Sequence, residues 1–219
     1  QLCSLVFALQ GVAAGALRGG AGLATLRRVA AAEAAGALPS GSSALSWRHS
    51  AHPGEVIVKI ALGALDVAAH GSWLTAAERA GRRRAGAIAA FLRREVPAFA
   101  AAFVSHLAPQ VGVRESRRLV GRHRLTREDV LSGRRFDDGV ARAAWPIELW
   151  REGTAGAHYE YLADGDWYDV PLRCLQPEGI EGLVAAGRCL SGTSEALGSA
   201  RVIGTCLATG EAAGREAAR

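Results

Sequence analysis

The sequence predicts a mixed α/β fold, and three observations carry that reading. Apolar runs of strand length lie at Ser4–Leu9 and Glu55–Leu62, with an alanine-rich, helix-favouring stretch at Ala21–Ala37 between them. From Thr75 to Val96, Ala77, Ala80, Ala85, Ile88, Phe91 and Leu92 share one helical face, and most of the arginines lie elsewhere. The last forty residues join a short apolar segment, Gly182–Arg188, to a glycine-dotted helical pattern running from Ser199 to Ala218. The chain has 219 residues, of which 49 % are hydrophobic and 21 % charged, a composition that buries a core and excludes a disordered chain.

Element by element, SLVFAL at residues 4–9 ends on Gln10-Gly11 and is expected as a buried strand. Pro39-Ser40-Gly41-Ser42-Ser43 marks a loop, and EVIVKIAL at 55–62 is a second strand. Thr75 and Glu78 have the spacing of a capping box, in which hydroxyl and carboxylate each satisfy an amide that the first turn leaves unpaired. That helix should stop at Val96-Pro97, because a residue before proline avoids helical angles, and a further helix is expected from Pro97 to Leu107. The charged segment from Val113 to Gly121 reads as an extended strand, and Thr126 opens another helix. Residues from Trp145 to Trp150 are extended around Pro146, residues 153–169 form a loop or hairpin, and Gly182–Arg188 is a short buried strand.

The charge and cysteine patterns narrow the function classes. Lysine plus arginine number 26 against 21 acids, a net charge of +5, and only Lys59 is a lysine. The densest cationic runs, Arg82-Arg83-Arg84 and the stretch from Arg114 to Arg127, are interleaved with acids or apolar residues, so solvated helix faces explain them and no nucleic-acid partner is expected. Cys3, Cys174, Cys189 and Cys206 include no C-x-x-C pair, so no metal site is expected and a reducing, cytoplasmic location is the default. The first seventeen residues carry no charge but are broken by Gln10, Gly11 and Gly15, a poor signal peptide and a poor membrane span. His106, His123 and His158 stand without a partner at a recognisable catalytic spacing, and Ser191 and Ser194 lack the G-x-S-x-G setting of a hydrolase nucleophile.

Four blocks carry a family resemblance: LTAAERAGR (74–82), VGVRESRRLVGRHRLTREDV (111–130), FDDGVARAAWPIELW (136–150), and YDVPLRCLQPEGIEGLVAAGRCLSGTSEALGSARVIGTCLATGEAAG (168–214). From about Leu74 onward the sequence resembles the C-terminal half of the FAD-dependent oxidoreductases related to the fumarate reductase flavoprotein and heterodisulfide reductase A. The resemblance implies a partial FAD/NAD(P)-binding-type fold: a substrate (capping) domain over residues 1–155, then the returning strand and helix of the FAD domain over 156–219. The departure is the G-x-G-x-x-G turn that brings a backbone up to the FAD pyrophosphate: neither Gly19-Gly20-Ala21-Gly22 nor Gly11-Val12-Ala13-Ala14-Gly15 provides it. With Met at 0 and Gln1 inside an apolar run, the sequence is expected to be a piece of a longer protein lacking its N-terminal dinucleotide-binding half.

The resemblance also places the chemistry. A flavin accepting hydride gathers negative charge on its pyrimidine edge, and a helix N-terminus aimed there supplies amide donors and about half a positive charge. The last helix is expected to play this part through Gly204, Thr205 and Cys206, with Gly198 and Ser199 in the stretch leading to it. Gly187 and Arg188, at the end of the expected strand, are candidates for the ribityl–phosphate chain and pyrophosphate. Gly198-Ser199-Ala200-Arg201 resembles the stretch where fumarate-reductase-type relatives place a substrate-carboxylate arginine, which makes Arg201 the expected catalytic residue, with a structural ion pair as its alternative role. Arg114, Arg117 and Arg118 are expected to pair with Glu115 or Asp129. The expected activity is electron transfer between FAD and a small-molecule substrate. Two alternatives stand beside it: an inactive relic or a subunit that needs a separate N-terminal half, and, more remotely, a basic module for acidic partners.

Overall fold

The first strand, β1 (Leu2–Gln10), has the period-two pattern of a sheet face: Cys3, Leu5, Phe7 and Leu9 are all at most 1 % exposed, whereas Val6 between them is 38 % exposed. The structure is a computed structural model and describes residues 2–64, 71–150 and 157–219. Helix α1 (Ala21–Ala34) follows, then β2 (Leu45–His49) and β3 (Glu55–Ala64). Strand β3 pairs antiparallel with both β1 and β2. Its residues Val56, Val58, Ile60 and Leu62 repeat the alternation of β1 and complete the buried face.

Helix α2 (Ser72–Glu95) lays Ala85, Ile88, Phe91 and Leu92 on that face. It begins one turn before the expected capping box. Its N-cap is Gly71, and Thr75 lies inside the helix with its amide bonded to the Gly71 carbonyl at 3.1 Å. Glu78 serves the loop instead, accepting from the Val111 amide at 2.6 Å and pairing with Arg82. The expected Pro97–Leu107 helix is also corrected. Pro97–Phe99 is a single 3-10 turn, and Phe103–Leu107 is strand β4, paired antiparallel with β1 in a sheet of order β2-β3-β1-β4. The open edge of β1 offers Phe103 and Val104 ladder hydrogen bonds, and these outweigh the local preference of the alanines before them.

The chain divides into two compact units, Leu2–Val113 and Arg114–Arg219. The division expected at 155/156 falls outside the described residues. In the second unit, α3 (Arg127–Leu131) opens where expected. Thr126 is its N-cap, the Asp129 amide donates to the Thr126 hydroxyl at 3.1 Å, and the Asp129 carboxylate accepts the Thr126 amide at 2.9 Å. Two antiparallel ribbons follow: β5 (Gly139–Ala143) pairs with β8 (Tyr168–Pro171), and β6 (Ile147–Leu149) pairs with β7 (His158–Glu160). Extended structure around Pro146 therefore forms as expected, whereas in the stretch 153–169, expected as a loop or hairpin, residues 153–156 lie outside the described residues and β7 and β8 pair with β6 and β5, not with each other.

Three expectations in this unit need correction. Residues 113–121 form no regular strand and are held by isolated bonds, such as Leu119 N–H to the Cys189 carbonyl at 2.8 Å. Gly182–Arg188 is not a strand either. Gly182 and Gly187 sit at φ +72° and +75°, outside strand geometry, and the segment closes in a 3-10 turn at Gly187–Cys189. The expected Ser199–Ala218 helix is two helices, α4 (Ser194–Ala200) and α5 (Ile203–Ala217). Val202 between them is extended, at φ −69° and ψ 154°. Leu125, Val130, Ile147, Tyr168, Leu175 and Leu197 are among the core of this unit. Among the described residues no helix is long and apolar enough to cross a membrane.

Candidate functional site

The junction between α4 and α5 gathers most of the residues singled out in the sequence. Because Val202 is extended, helix α5 starts afresh at Ile203, with no side-chain cap and no acid in its first turn. The first bond of the new ladder runs from the Cys206 amide to the Val202 carbonyl at 2.9 Å. The amides of Ile203, Gly204 and Thr205 therefore precede the ladder and present the positive end of the helix dipole. The Cys206 amide, an expected donor, is committed within the helix. Gly204 is exposed, and a side chain built there would meet nothing within 4 Å. Thr205 is only 4 % exposed and faces inward.

Gly187 and Arg188 come to the same end of α5. The Gly187 amide donates to the Thr209 hydroxyl at 3.2 Å, so one side chain of α5 fixes the 3-10 turn against it. The Thr209 hydroxyl in turn donates to the Thr205 carbonyl at 2.9 Å. At Gly187 the left-handed φ of +75° lets the chain turn there without strain. The Arg188 side chain is exposed. Cys206 lies under this turn, its sulfur 3.3 Å from the Arg201 carbonyl. Burial pushes its thiol up from the ordinary value, and the nearby guanidiniums of Arg188 and Arg201 act in the opposite direction. Both guanidiniums thus act on a thiol in the first turn of α5.

Arg201 is the C-cap of α4 and is partly buried. Its Nη2 donates to the Glu148 carbonyl on β6 at 3.2 Å, and burial lowers its guanidinium pKa from the ordinary value. The carboxylates of Glu148 and Glu115 and the phenol of Tyr159 act against that lowering. A half-buried cation of this kind is a strong receptor for a carboxylate that brings its own partner geometry.

Gly198 and Ser199 prove to be packing residues. At Gly198 a side chain would come within 3.0 Å of the Glu148 carbonyl oxygen and 3.2 Å of its amide nitrogen, so glycine sets how closely α4 approaches β6. Ser199 is fully buried, with its hydroxyl 2.5 Å from the Trp145 carbonyl and 2.7 Å from the Tyr168 hydroxyl. Neither residue has a surface for a cofactor.

Several polar contacts had no signature in the sequence. His123 lies 3.6 Å from Asp129, which also accepts from Arg134 at 2.8 Å. The Glu148 carboxylate accepts from the indoles of Trp145, at 3.3 Å, and Trp150. Of the three arginines expected to pair near the start of this unit, Arg118 pairs with Glu115 at 2.6 Å, and Arg114 lies over the Trp150 ring at 4.8 Å. The spacing of these residues is irregular because loops bring them together, so no periodic pattern marks them.

The patch suits a ligand that carries negative charge on a flat edge: donors precede the α5 ladder, the first turn of α5 holds no acid of its own, and Arg188 and Arg201 both act on Cys206 in that turn. Nothing in the sequence supplies the glycine turn for the adenosine end, so the fit concerns the ring end alone. Comparisons with curated proteins and with solved structures return no match. The family profile described as FAD dependent oxidoreductase matches residues 13–219, nearly the whole chain. The chain therefore belongs to the FAD-dependent oxidoreductase family, an oxidoreductase whose cofactor is FAD.

Proposed function

We propose that the chain transfers an electron pair between a small substrate and FAD, with the α4–α5 junction holding the ring end of the flavin. The observation that carries this reading is the uncapped opening turn of α5, which holds no acid of its own. When bound, FAD supplies the redox chemistry itself. The amides of Ile203, Gly204 and Thr205 would steady negative charge on the ring, the Gly187 turn would seat the chain leading away from it, and Arg188 would meet its phosphates. Arg201 would bind a carboxylate of the substrate and hold it in position. Residues 1–155 would serve the substrate side and residues 156–219 the flavin side, and a polypeptide segment carrying the missing glycine turn would complete the adenosine contacts.

Titration of FAD into the protein, followed by quenching of flavin fluorescence, tests this reading. Arg188→Glu should weaken binding about tenfold, the cost of exchanging an attractive charge for a repulsive one in a partly solvated site. Equal affinities in the variant and the wild type would overturn the placement. Arg201→Ala, assayed in a protein completed with a dinucleotide-binding segment, should keep FAD and lose turnover.

A further inference from the structure

Cys189 and Cys206 share no sequence motif, yet the fold brings both sulfurs to the Ala186–Gly187 peptide. The Cys189 sulfur lies 3.4 Å from the Ala186 carbonyl oxygen. A β-carbon built on Gly187 would lie 3.7 Å from the Cys206 sulfur and 3.8 Å from the Cys206 β-carbon. The 3-10 turn Gly187–Cys189 that carries the first thiol packs on α5, which carries the second, and the Thr209 hydroxyl fixes it there through the Gly187 amide at 3.2 Å.

The two thiols differ in access. Cys189 is exposed and Cys206 is half-buried. Burial acts most strongly on the Cys206 thiol and raises its pKa; Arg188 lowers it, Cys189 raises it as a second thiol close by does, and Arg201 lowers it. The other two cysteines are shut away: Cys3 and Cys174 are both 0 % exposed, and burial pushes the Cys174 thiol up to about 12.

We propose that Cys189 and Cys206 form a dithiol–disulfide couple that reduces low-molecular-weight disulfides, with Cys189 as the attacking thiol and Cys206 as the resolving one. The Cys189 thiolate attacks one sulfur of R–S–S–R: a Cys189–S–R bond forms, the S–S bond of the substrate breaks and RS⁻ leaves. The Cys206 thiolate then attacks the Cys189 sulfur, the Cys189–Cys206 bond forms and the second RS⁻ leaves. The two protons given up by the protein thiols go to the two leaving thiolates, and one electron pair passes from the protein to the substrate disulfide, which becomes two thiols. A sulfur hydrogen bond is weak, so the Cys189 side chain can leave the Ala186 carbonyl and turn toward α5. The couple does not rest on the flavin reading, because its oxidant is the substrate disulfide and its test contains no flavin.

The test uses the 219-residue chain, reduced, freed of reductant and exposed anaerobically to glutathione disulfide. Trypsin cuts after Arg188, Arg201 and Arg215, so the two cysteines fall in separate peptides, 189–201 and 202–215. The expected result is two glutathiones released per chain and a mass-spectrometric cross-link between those peptides, in a chain that still runs as a monomer on a non-reducing gel. Cys206→Ala should release one glutathione and keep the other on Cys189. Cys189→Ser should slow the first release at least about tenfold, because the remaining thiol is half-buried. Three results would overturn the proposal: a wild-type chain that holds glutathione on Cys189 without the cross-link, a link that runs to Cys3, to Cys174 or only between two chains, or release of two glutathiones by a monomeric Cys206→Ala chain.

Discussion

Replacing Gly204 with aspartate sets the stability of α5 against its proposed role. The site is open, with nothing within 4 Å of an added side chain, so no steric term enters. In the first turn, aspartate gains about 0.3–1 kcal/mol from the helix dipole and a few tenths more from leaving glycine behind. The sum is about 1 kcal/mol of added stability, or about 4–8 °C in the melting temperature of a unit near one hundred residues. The flavin responds in the other direction. A carboxylate about 6 Å from a developing negative charge, at an effective dielectric of about 20, costs about 3 kcal/mol, and exposure of the helix end reduces this to roughly 1–2 kcal/mol. Reduced flavin should therefore bind about tenfold more weakly, while oxidised flavin changes little. Circular dichroism melts give the first quantity, and anaerobic titrations with oxidised and dithionite-reduced flavin give the second. A variant that melts higher but binds reduced flavin within twofold of the wild type would refute the assignment of charge stabilisation to this turn.

Ser199→Ala leaves the buried Tyr168 hydroxyl without its partner and should cost about 1–3 kcal/mol, read from denaturant midpoints, with Tyr168→Phe largely suppressing the loss in the double variant. Gly198→Ala drives a methyl group against the β6 backbone and should destabilise by about 1–3 kcal/mol, whereas Gly214→Ala, with nothing within 4 Å, should stabilise by about 1 kcal/mol; equal melting temperatures would contradict the close approach. Burial raises the Asp129 pKa, but hydrogen bonds from the Thr126 amide, Arg134 and the Thr126 hydroxyl outweigh it and hold the carboxyl below its ordinary value. Its stabilisation is therefore complete above the unfolded value near 4 and is lost as pH falls through the folded one. Melts from about pH 5 to 2 should fall more steeply for the wild type than for Asp129→Asn, and parallel curves would remove Asp129 from the acid response.

Much of the first unit was legible because burial there follows simple periods. Cys3, Leu5, Phe7 and Leu9 alternate, and Ala85, Ile88 and Leu92 recur at helical spacing, so β1, β3 and α2 declare themselves. Strand β2 did not, because Leu45 and Trp47 are only half-buried in a segment otherwise made of Ser46, Arg48 and His49. Strand β4 was hidden by the alanines before it, since its pairing partner lies ninety-odd residues away in β1. In the second unit, Thr126 and Asp129 announced α3 through a three-residue capping rule, whereas the break at Val202 depends on tertiary packing and left no mark beyond two adjacent β-branched residues. The resemblance named Gly204, Arg188 and Arg201 beside Gly198 and Ser199, and of these the last two are buried against the β6 backbone and the Tyr168 hydroxyl.

The buried triad of Tyr168, Ser199 and the Trp145 carbonyl ties α4 to both ribbons of the second unit at once. Since α5 departs from the end of α4 after a single extended residue, the aim of its electropositive tip is inherited from three groups that never meet a guest molecule. Lesions in that triad would thus masquerade as defects of the proposed flavin site, tilting its donors away while every residue that forms them stays unaltered.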